Sequence, residues 1–211
     1  MIENIAPTKA NYLKLKESLK LSQTGYNLID KKRTVLIKEL LSQIDKAKEI
    51  QDEVGERFSK AYLLLQKANI SMGVREIHDI ATSIDKAEPF EITYQSIMGL
   101  DVPKVKYAHK PLRPHYSLFM TSPEVDEAIY IFRKVKHLIY RLAETENTVY
   151  KLSVEIKKNQ KRANALEKIK IPEYEETIKY ISETLEEKER EEFFRLKKMK
   201  KRKEEQKKDP I

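Results

Sequence analysis

Residues 36–68 read LIKELLSQIDKAKEIQDEVGERFSKAYLLLQKA, and their apolar side chains recur at intervals of three or four. The recurring residues are Leu36, Leu40, Ile44, Ala47, Ile50, Val54, Phe58, Ala61, Leu65 and Ala68. The nine steps cover 32 residues, or about 3.56 residues per step, between the heptad value of about 3.5 and the free-helix period of about 3.6. A single narrow stripe of this length indicates a coiled-coil seam, because a globular helix would show a wider apolar face.

Helix-breaking residues are concentrated in the middle of the chain. Of eight prolines, none lies between Thr8 and Glu88, and Pro172 is the only one between Glu124 and Asp209. The pair Pro7-Thr8 is a plausible turn and cap for the first helix. The TSPE sequence at 121–124 places hydroxyl caps before a proline and an early carboxylate, which predicts the start of a second long helix.

The second helix carries its own apolar stripe. Its predicted seam residues are Val125, Ile129, Phe132, Val135, Ile139, Leu142, Val149, Leu152, Ile156, Ala163 and Leu166, followed by Tyr174, Ile178, Ile181, Leu185, Phe193, Leu196 and Met199. Glu146 and Asn159 fall near this line, and polar residues in a seam usually fix the register of the helices at some cost in stability. Pro172 interrupts the pattern, so we expect the helix to bend or restart there, with the Lys168 carbonyl losing its partner.

The region between the seams has a different composition. Residues 89–108 (PFEITYQSIMGLDVPKVKYA) offer two short β-type runs, which predict a hairpin with Gly99 and Pro103 at its turn. Residues 72–86 predict a shorter helix, and a Pro-rich loop follows the hairpin. A two-stranded hairpin is marginal alone, so we expect it to pack on the ends of the helices or on a partner.

The predicted fold is mainly α, a long antiparallel two-helix coiled coil with a small central β-hairpin and loop element. We divide the chain into an N-terminal long helix (1–71), a short helix with the hairpin and Pro-rich loop (72–121), and a C-terminal long helix with the Pro172 kink and a basic tail (122–211). From the predicted helix lengths, the second helix should extend past the first by about 30 Å.

No motif in the chain indicates catalysis. The chain has no cysteine, so disulfides, thiolate nucleophiles and cysteine metal sites are excluded. Its four glycines lack the spacing of a phosphate-binding loop. The histidines His78, His109, His115 and His137 are scattered. We therefore expect no catalytic residue, metal or cofactor, and, without a signal sequence or an apolar span, a soluble cytoplasmic protein.

The formal charge of +8 comes almost entirely from the segment between Arg195 and Lys208. Such a tail could bind nucleic-acid phosphates, or it could be a solvated helix end. We expect a solvated helix end. Periodicity alone would also suit a general coiled-coil scaffold or tether.

Four segments are similar to one family. They are PTK at 7–9, GYNLIDKKRTVLIKEL at 25–40, IMGLDVPKV at 97–105, and KRANALEKIKIPEYEETIKYISETLEEKEREEFFRLKKMK at 161–200. The chain resembles the D subunit of prokaryotic V-type (A/V-type) ATP synthases over nearly its entire length. Lys161 stands where that family typically has arginine, and Ala163 where it has valine.

The resemblance implies a non-catalytic rotor shaft that couples ion-driven rotation to ATP synthesis or hydrolysis. It implies four partners: the A and B subunits of the catalytic hexamer, the F subunit of the central stalk, and the funnel-shaped subunit (C/d type) above the membrane ring. It also implies a cytoplasmic location, peripheral to the cell membrane.

Specific residues follow by analogy. Lys161, Arg162, Asn164 and Glu167 are candidates for polar contacts with the hexamer or across the coiled coil. Gly25 is a candidate for close approach of another backbone, either the second helix or the F subunit. Pro172 is a candidate bend that aims the final segment.

Overall fold

A computed structural model of the chain describes residues 5–84, 90–107, 116–117 and 121–206. Its elements in chain order are α1 (Lys9–Met72), α2 (Val74–Ser83), β1 (Phe90–Ile97), β2 (Leu100–Tyr107), α3 (Pro123–Ala165), a π-helix (Leu166–Lys170) and α4 (Ile171–Gln206). The mainly α fold with a small two-stranded antiparallel sheet is confirmed. The division into three segments at 71/72 and 121/122 stays a prediction.

The chain forms two compact units. The first unit consists of Met1–Arg33 and Lys157–Ile211, and the second unit of Thr34–Ile156. Each long helix contributes one stretch to each unit.

The two long helices begin where the cap sequences predict. At the start of α1, Thr8 accepts a hydrogen bond at Oγ1 from the Asn11 N–H (3.3 Å) and at its carbonyl from the Tyr12 N–H (3.0 Å). At the start of α3, the Val125 N–H donates to the Ser122 carbonyl at 3.0 Å. These bonds satisfy backbone donors that a helix start leaves open.

Contacts in the second unit show that α1 and α3 run antiparallel. The Ser122 N–H, just before α3, lies 3.3 Å from the Met72 sulfur at the end of α1. Further along, Lys60 Nζ and Glu127 Oε1 form an ion pair at 2.9 Å. Met72 is followed by Gly73, whose φ of +99° separates α1 from the short predicted helix, observed as α2.

The apolar seam predicted on α1 is confirmed. All ten residues predicted on α1 are buried or half-buried. Ala61, Ile131 and Val135 form a core cluster, and Val54, Phe58, Leu64 and Phe132 pack against it. Tyr62 extends this cluster, with its ring 5.5 Å from that of Phe132.

Two seam assignments on α3 are wrong. Ile139 is 41% exposed, and Leu138, 7% exposed, occupies the seam instead. Glu146 is exposed, and the buried polar residue of this stretch is Thr148, whose hydroxyl donates to the Glu144 carbonyl at 2.8 Å. One residue along a helix rotates a side chain by about 100°, so an error of one or two positions moves it off a narrow seam.

The seam of the first unit is more polar. Asn159 is buried as predicted, together with Ala163, Thr177 and Ile181. No residue of α1 between Lys9 and Arg33 is fully buried.

The last part of α4 is exposed, and no described helix covers it. Leu185 is the last half-buried residue, and every residue from 186 to 204 is exposed. This pattern agrees with the predicted overshoot of the second helix. Phe193, Leu196 and Met199 are therefore not seam residues within the chain, being 66%, 62% and 57% exposed, because no described helix faces them.

The hairpin forms as predicted, but its turn is shorter. The strands pair from Phe90↔Tyr107 to Ile97↔Leu100, which leaves Met98 and Gly99 as a two-residue turn. Both have positive φ (52° and 78°), as a type I′ turn requires. Gly99 is thus in the turn, whereas the assignment of Pro103 to it is wrong. Pro103 lies in β2 opposite Tyr94, where an edge strand tolerates its missing N–H.

The hairpin packs along the middle of α3, not on the helix ends. Tyr107 stacks on His137 with ring centroids 4.5 Å apart and lies 5.7 Å from the ring of Tyr140. Near the turn, Lys151 Nζ donates to the Asp101 carbonyl at 2.7 Å. Aromatic side chains of the strands thus pack on aromatic rings of the helix, which supplies the apolar surface that an isolated hairpin lacks.

Candidate functional site

A group of polar side chains bridges the two helices of the first unit, and we call it the polar layer. Its members are Tyr26, Asp30, Arg33, Gln160, Asn164 and Glu167. It includes two of the predicted site residues and lies beside the buried Asn159.

Arg33 is the centre of this layer. Its Nη1 donates to Gln160 Oε1 on the opposite helix, while its Nη2 pairs with Asp30 Oδ1 one turn earlier on α1. The Gln160 amide in turn donates from Nε2 to Asn164 Oδ1 at 2.7 Å. A guanidinium can make both contacts at once because its N–H groups have a fixed, forked geometry.

Tyr26 and Glu167 form the second cross-helix contact. The negative charge of Glu167 is the largest cause that raises the pKa of Tyr26, and partial burial, the charge of Asp30 and the hydrogen bond to Glu167 act in the same direction. The positive charge of Arg33 opposes the shift. The phenol therefore stays neutral and donates its hydrogen bond to the carboxylate.

The four predicted polar residues fall into two pairs. Asn164 and Glu167 belong to the polar layer, so they contact groups within the chain. Lys161 and Arg162 are exposed on α3, and no ion pair or hydrogen bond occupies their side chains within the described ranges. Their charged ends are therefore available to another chain.

Pro172 is accommodated by the π-helix that precedes it. Proline has no N–H, and in an α-helix its ring would clash with the carbonyl four residues back, here that of Lys168. The Ile171 N–H instead donates to the Leu166 carbonyl, five residues back, which widens the turn before the proline. The helix resumes as α4 at Ile171. A bend at this point stays a prediction.

The π-helix also explains a gap in the seam. Residues 167–170 are all exposed, whereas Leu166 and Ile171 on either side are half-buried. The seam therefore passes from Leu166 to Ile171 in one step of five residues instead of the usual three or four, because the π-turn contains an extra residue.

Gly25 does not mark a close contact between the two helices. A Cβ built at Gly25 would meet no atom within 4 Å. The interpretation that the second helix approaches here is therefore wrong. An approach by the F subunit stays a prediction.

Four members of the polar layer were missed because the predicted seam was restricted to apolar residues. Steps of three or four residues back from Leu36 reach Arg33, Asp30 and Tyr26, so the same periodicity continues in polar side chains. Gln160 comes directly after the predicted seam residue Asn159, and nothing in the sequence pattern places its own side chain between the helices. Asn159 itself is 2% exposed, and its Nδ2 has no hydrogen-bond partner in the described part of the chain.

The described residues hold no group of three or more side chains that could bind a metal ion. His109 and His115 lie outside those residues. None of the described helices is long and apolar enough to cross a membrane.

Comparison with known proteins identifies the family. The sequence model of the ATP synthase D subunit matches residues 11–201. The D subunit of the V-type ATP synthase of Thermotoga neapolitana is 43% identical over 197 residues, which cover 93% of this chain and 97% of that protein. The D subunits of the A-type ATP synthases of Thermococcus sibiricus and Methanosphaera stadtmanae are 38% and 37% identical, over 94% and 95% of both chains. These matches span both long helices and the hairpin, and the chain therefore belongs to the ATP synthase D-subunit family, whose members are non-catalytic subunits of V-type and A-type ATP synthases.

Proposed function

We propose that this chain is the central shaft of a V/A-type rotary ATP synthase. The observation that carries the proposal is the family match over residues 11–201, which includes nearly all of both long helices. The shaft couples rotation of the membrane ring, driven by ions, to ATP synthesis in the hexamer of A and B subunits. ATP hydrolysis drives the reverse.

The mechanism requires a protein that binds differently to each conformation of its surroundings. A rotating ligand shifts the state of a subunit only through its differential affinity for the states of that subunit. Lys161 and Arg162 suit this role because their charges are exposed. Asn164 instead accepts a hydrogen bond from Gln160 on the same helix, and Glu167 contacts Tyr26 on the opposite helix. We assign Lys161 and Arg162 to contacts with the hexamer, Glu167 to a contact across the helix pair, and Asn164 to holding Gln160 in the polar layer.

The hairpin region is the proposed site of the other partners. Ile92, Tyr94 and Met98 are 53%, 68% and 55% exposed, although the hairpin already packs on α3. These apolar side chains offer a surface for the F subunit or for the funnel-shaped subunit above the membrane ring. With these partners the chain is a cytoplasmic protein peripheral to the cell membrane.

Rotation of a bead attached to this chain in a reconstituted complex tests the proposal. The double variant Lys161→Gln/Arg162→Gln should assemble with A and B subunits but rotate against load with lower torque. Lys157→Gln/Lys158→Gln removes the same charge one turn earlier, from two exposed lysines, and serves as the matched control. Equal torque in both variants would remove Lys161 and Arg162 from the mechanism.

Pro172 is assigned a coupling role in the same assay. Replacement by alanine removes the need for the π-turn, so the helix becomes regular and the final segment changes direction. We expect Pro172→Ala to change the ratio of ATP consumed to rotation more than it changes stability. An unchanged helix axis and unchanged coupling would show that the proline is incidental.

The two rival functions predict different results. A scaffold or tether would not copurify with A, B and F subunits. A nucleic-acid-binding hairpin would bind RNA or DNA with a steep salt dependence that is lost when residues 195–211 are deleted. Copurification with these three partners and no binding to nucleic acid at moderate salt would exclude both.

A further inference from the structure

The exposed end of α4 carries a stripe of side chains with an unusual order of charge. Residues at steps of three and four along one face are Glu186, Glu189, Phe193, Leu196, Lys200 and Lys203. All six are exposed, and no described helix of the chain covers them. We call this set the terminal stripe.

The terminal stripe is complementary to a copy of itself in the antiparallel orientation. If Phe193 of one copy faces Leu196 of the other, Glu189 faces Lys200 and Glu186 faces Lys203 at each end. In the parallel orientation the same face would set glutamate against glutamate and lysine against lysine. Opposite charges flanking an apolar seam select the partner and the orientation of a coiled coil.

The rest of the segment supports this pairing. Residues 186–192 contain five acidic and two basic side chains, and residues 195–203 contain seven basic and no acidic ones. Phe194 and Met199, 68% and 57% exposed, add apolar surface on either side of the stripe. Two ion pairs within this helix are long and exposed: Arg190–Glu186 at 3.8 Å and Arg195–Glu191 at 3.5 Å. They would compete only weakly with ion pairs between two copies of the helix.

We infer that the free chain associates with a second copy of itself through an antiparallel pair of helices formed by residues 186–204. The segment is about 28 Å long and about 10 Å wide, so it buries less than the roughly 800 Å² per partner of a standard stable interface. The dimer is therefore weak and reversible, and it shields Phe193 and Leu196 from water. The inference does not depend on the proposed function.

Sedimentation equilibrium of the purified full-length chain tests the inference. Wild-type protein should form dimers as its concentration rises at low salt, and the dimers should dissociate at about 1 M salt, where charges are screened beyond about 3 Å. Glu186→Lys/Glu189→Lys should lower the association constant about tenfold, because the attractive pairs at both ends become repulsive. Lys200→Glu/Lys203→Glu should do the same, and an equimolar mixture of the two variants should associate at least as well as wild type.

A matched control separates the stripe from the total charge. Glu187→Lys/Glu191→Lys makes the same change in net charge on another face of the helix, and association should weaken much less. A chain that stays monomeric at every concentration, or two charge variants that do not restore association on mixing, would overturn the inference.

The relative direction of the two helices in the dimer is tested by disulfide formation. Only introduced cysteines can cross-link, because the chain has none of its own. Under mild oxidation, Phe193→Cys mixed with Leu196→Cys should give a cross-linked heterodimer in excess of either cross-linked homodimer. An excess of homodimers would show the parallel arrangement and overturn the antiparallel one.

Discussion

The two units of this chain pair their helices with different side chains. In Thr34–Ile156, apolar residues such as Leu36, Ile50 and Val135 are buried along the seam, and aromatic rings extend the core. In the other unit the α1 face is Tyr26, Asp30 and Arg33, and the opposite helix adds polar groups. The same helical periodicity is thus filled with apolar groups in one unit and with hydrogen-bonding groups in the other.

The apolar seam and the polar seam contribute differently to the free energy of folding. Burial of apolar surface contributes about 25 cal/mol per Å² without regard to direction, so the apolar seam supplies stability. A polar seam contributes less net free energy, because each group exchanges water for a protein partner. The polar seam depends more strongly on geometry, however, because a shift of one helix by one residue along the other would break the hydrogen bonds between them. We infer that the apolar unit stabilises the helix pair and that the polar layer fixes its register.

The largest expected effect is in the apolar unit. Leu152 is fully buried, and Leu152→Ala should lower the free energy of unfolding by about 3 kcal/mol, because it removes apolar contacts and leaves a cavity. Val154→Ala, two residues away and 49% exposed, is the control and should change it by less than about 0.5 kcal/mol. Denaturant unfolding followed by circular dichroism measures both. Similar losses in the two variants would contradict the assignment of the seam.

Replacement of Asn159 by an apolar residue should change the free energy of unfolding in the opposite direction. Its side chain is buried with an amide donor that has no partner among the described residues, so Asn159→Leu should raise the free energy of unfolding by about 1 kcal/mol. The exposed Asn147, whose amide donates to the Ala143 carbonyl, gives the control Asn147→Leu. The same unfolding experiment decides, and a destabilised Asn159→Leu would show that the amide contributes net stability.

The apolar seam could be predicted from the sequence, whereas the polar layer could not. The seam of α1 was predictable because apolar residues there repeat without interruption, and the cap at Thr8 and the glycine turn at Gly99 have local chemical signatures. Arg33 and Gln160 were not predictable as partners. Their contact joins residues far apart in sequence, and long polar side chains lie mostly on exposed helix faces, so the sequence gives no sign that these two meet.

The π-helix shows another limit. Pro172 signals a disturbance of the helix, but the chain can respond with a bend, a break or a wider turn, and the local sequence does not distinguish among them. Packing on both sides decides among them. Leu166 and Ile171 are both half-buried, and a turn with one extra residue allows both to face the opposite helix.

Coupling within the polar layer should be smaller than the core effect. A double-mutant cycle with Arg33→Ala and Gln160→Ala should give a coupling free energy of about 1 kcal/mol, since the bond joins a charged donor to a half-buried amide. The same cycle for Arg190 and Glu186, which are separated by 3.8 Å on the exposed end of α4, should give less than about 0.5 kcal/mol. Equal coupling in both cycles would mean that the polar layer is no more than a set of surface contacts.

The smallest effects concern two tyrosines that each face a carboxylate. Burial is the first cause that raises the pKa of Tyr116 to about 12, followed by its hydrogen bond to Asp126. For Tyr26 in the polar layer, the charge of Glu167 is the first cause of the raised pKa. Both phenols bind their protons more tightly in the folded chain. Their contribution to stability is therefore complete below the ordinary pKa of 10.0 and is lost as pH rises through the folded value.

The order of causes distinguishes the two sites. Glu167→Gln should return the pKa of Tyr26 close to its ordinary value, because it removes the main cause of the shift. Asp126→Asn should lower the pKa of Tyr116 only in part, because burial remains. NMR titration of ring-labelled tyrosine measures both pKa values, with Tyr26→Phe and Tyr116→Phe to assign the signals. A complete return of the Tyr116 pKa in Asp126→Asn would show that its carboxylate, not burial, controls the proton, and the two sites would then share one mechanism.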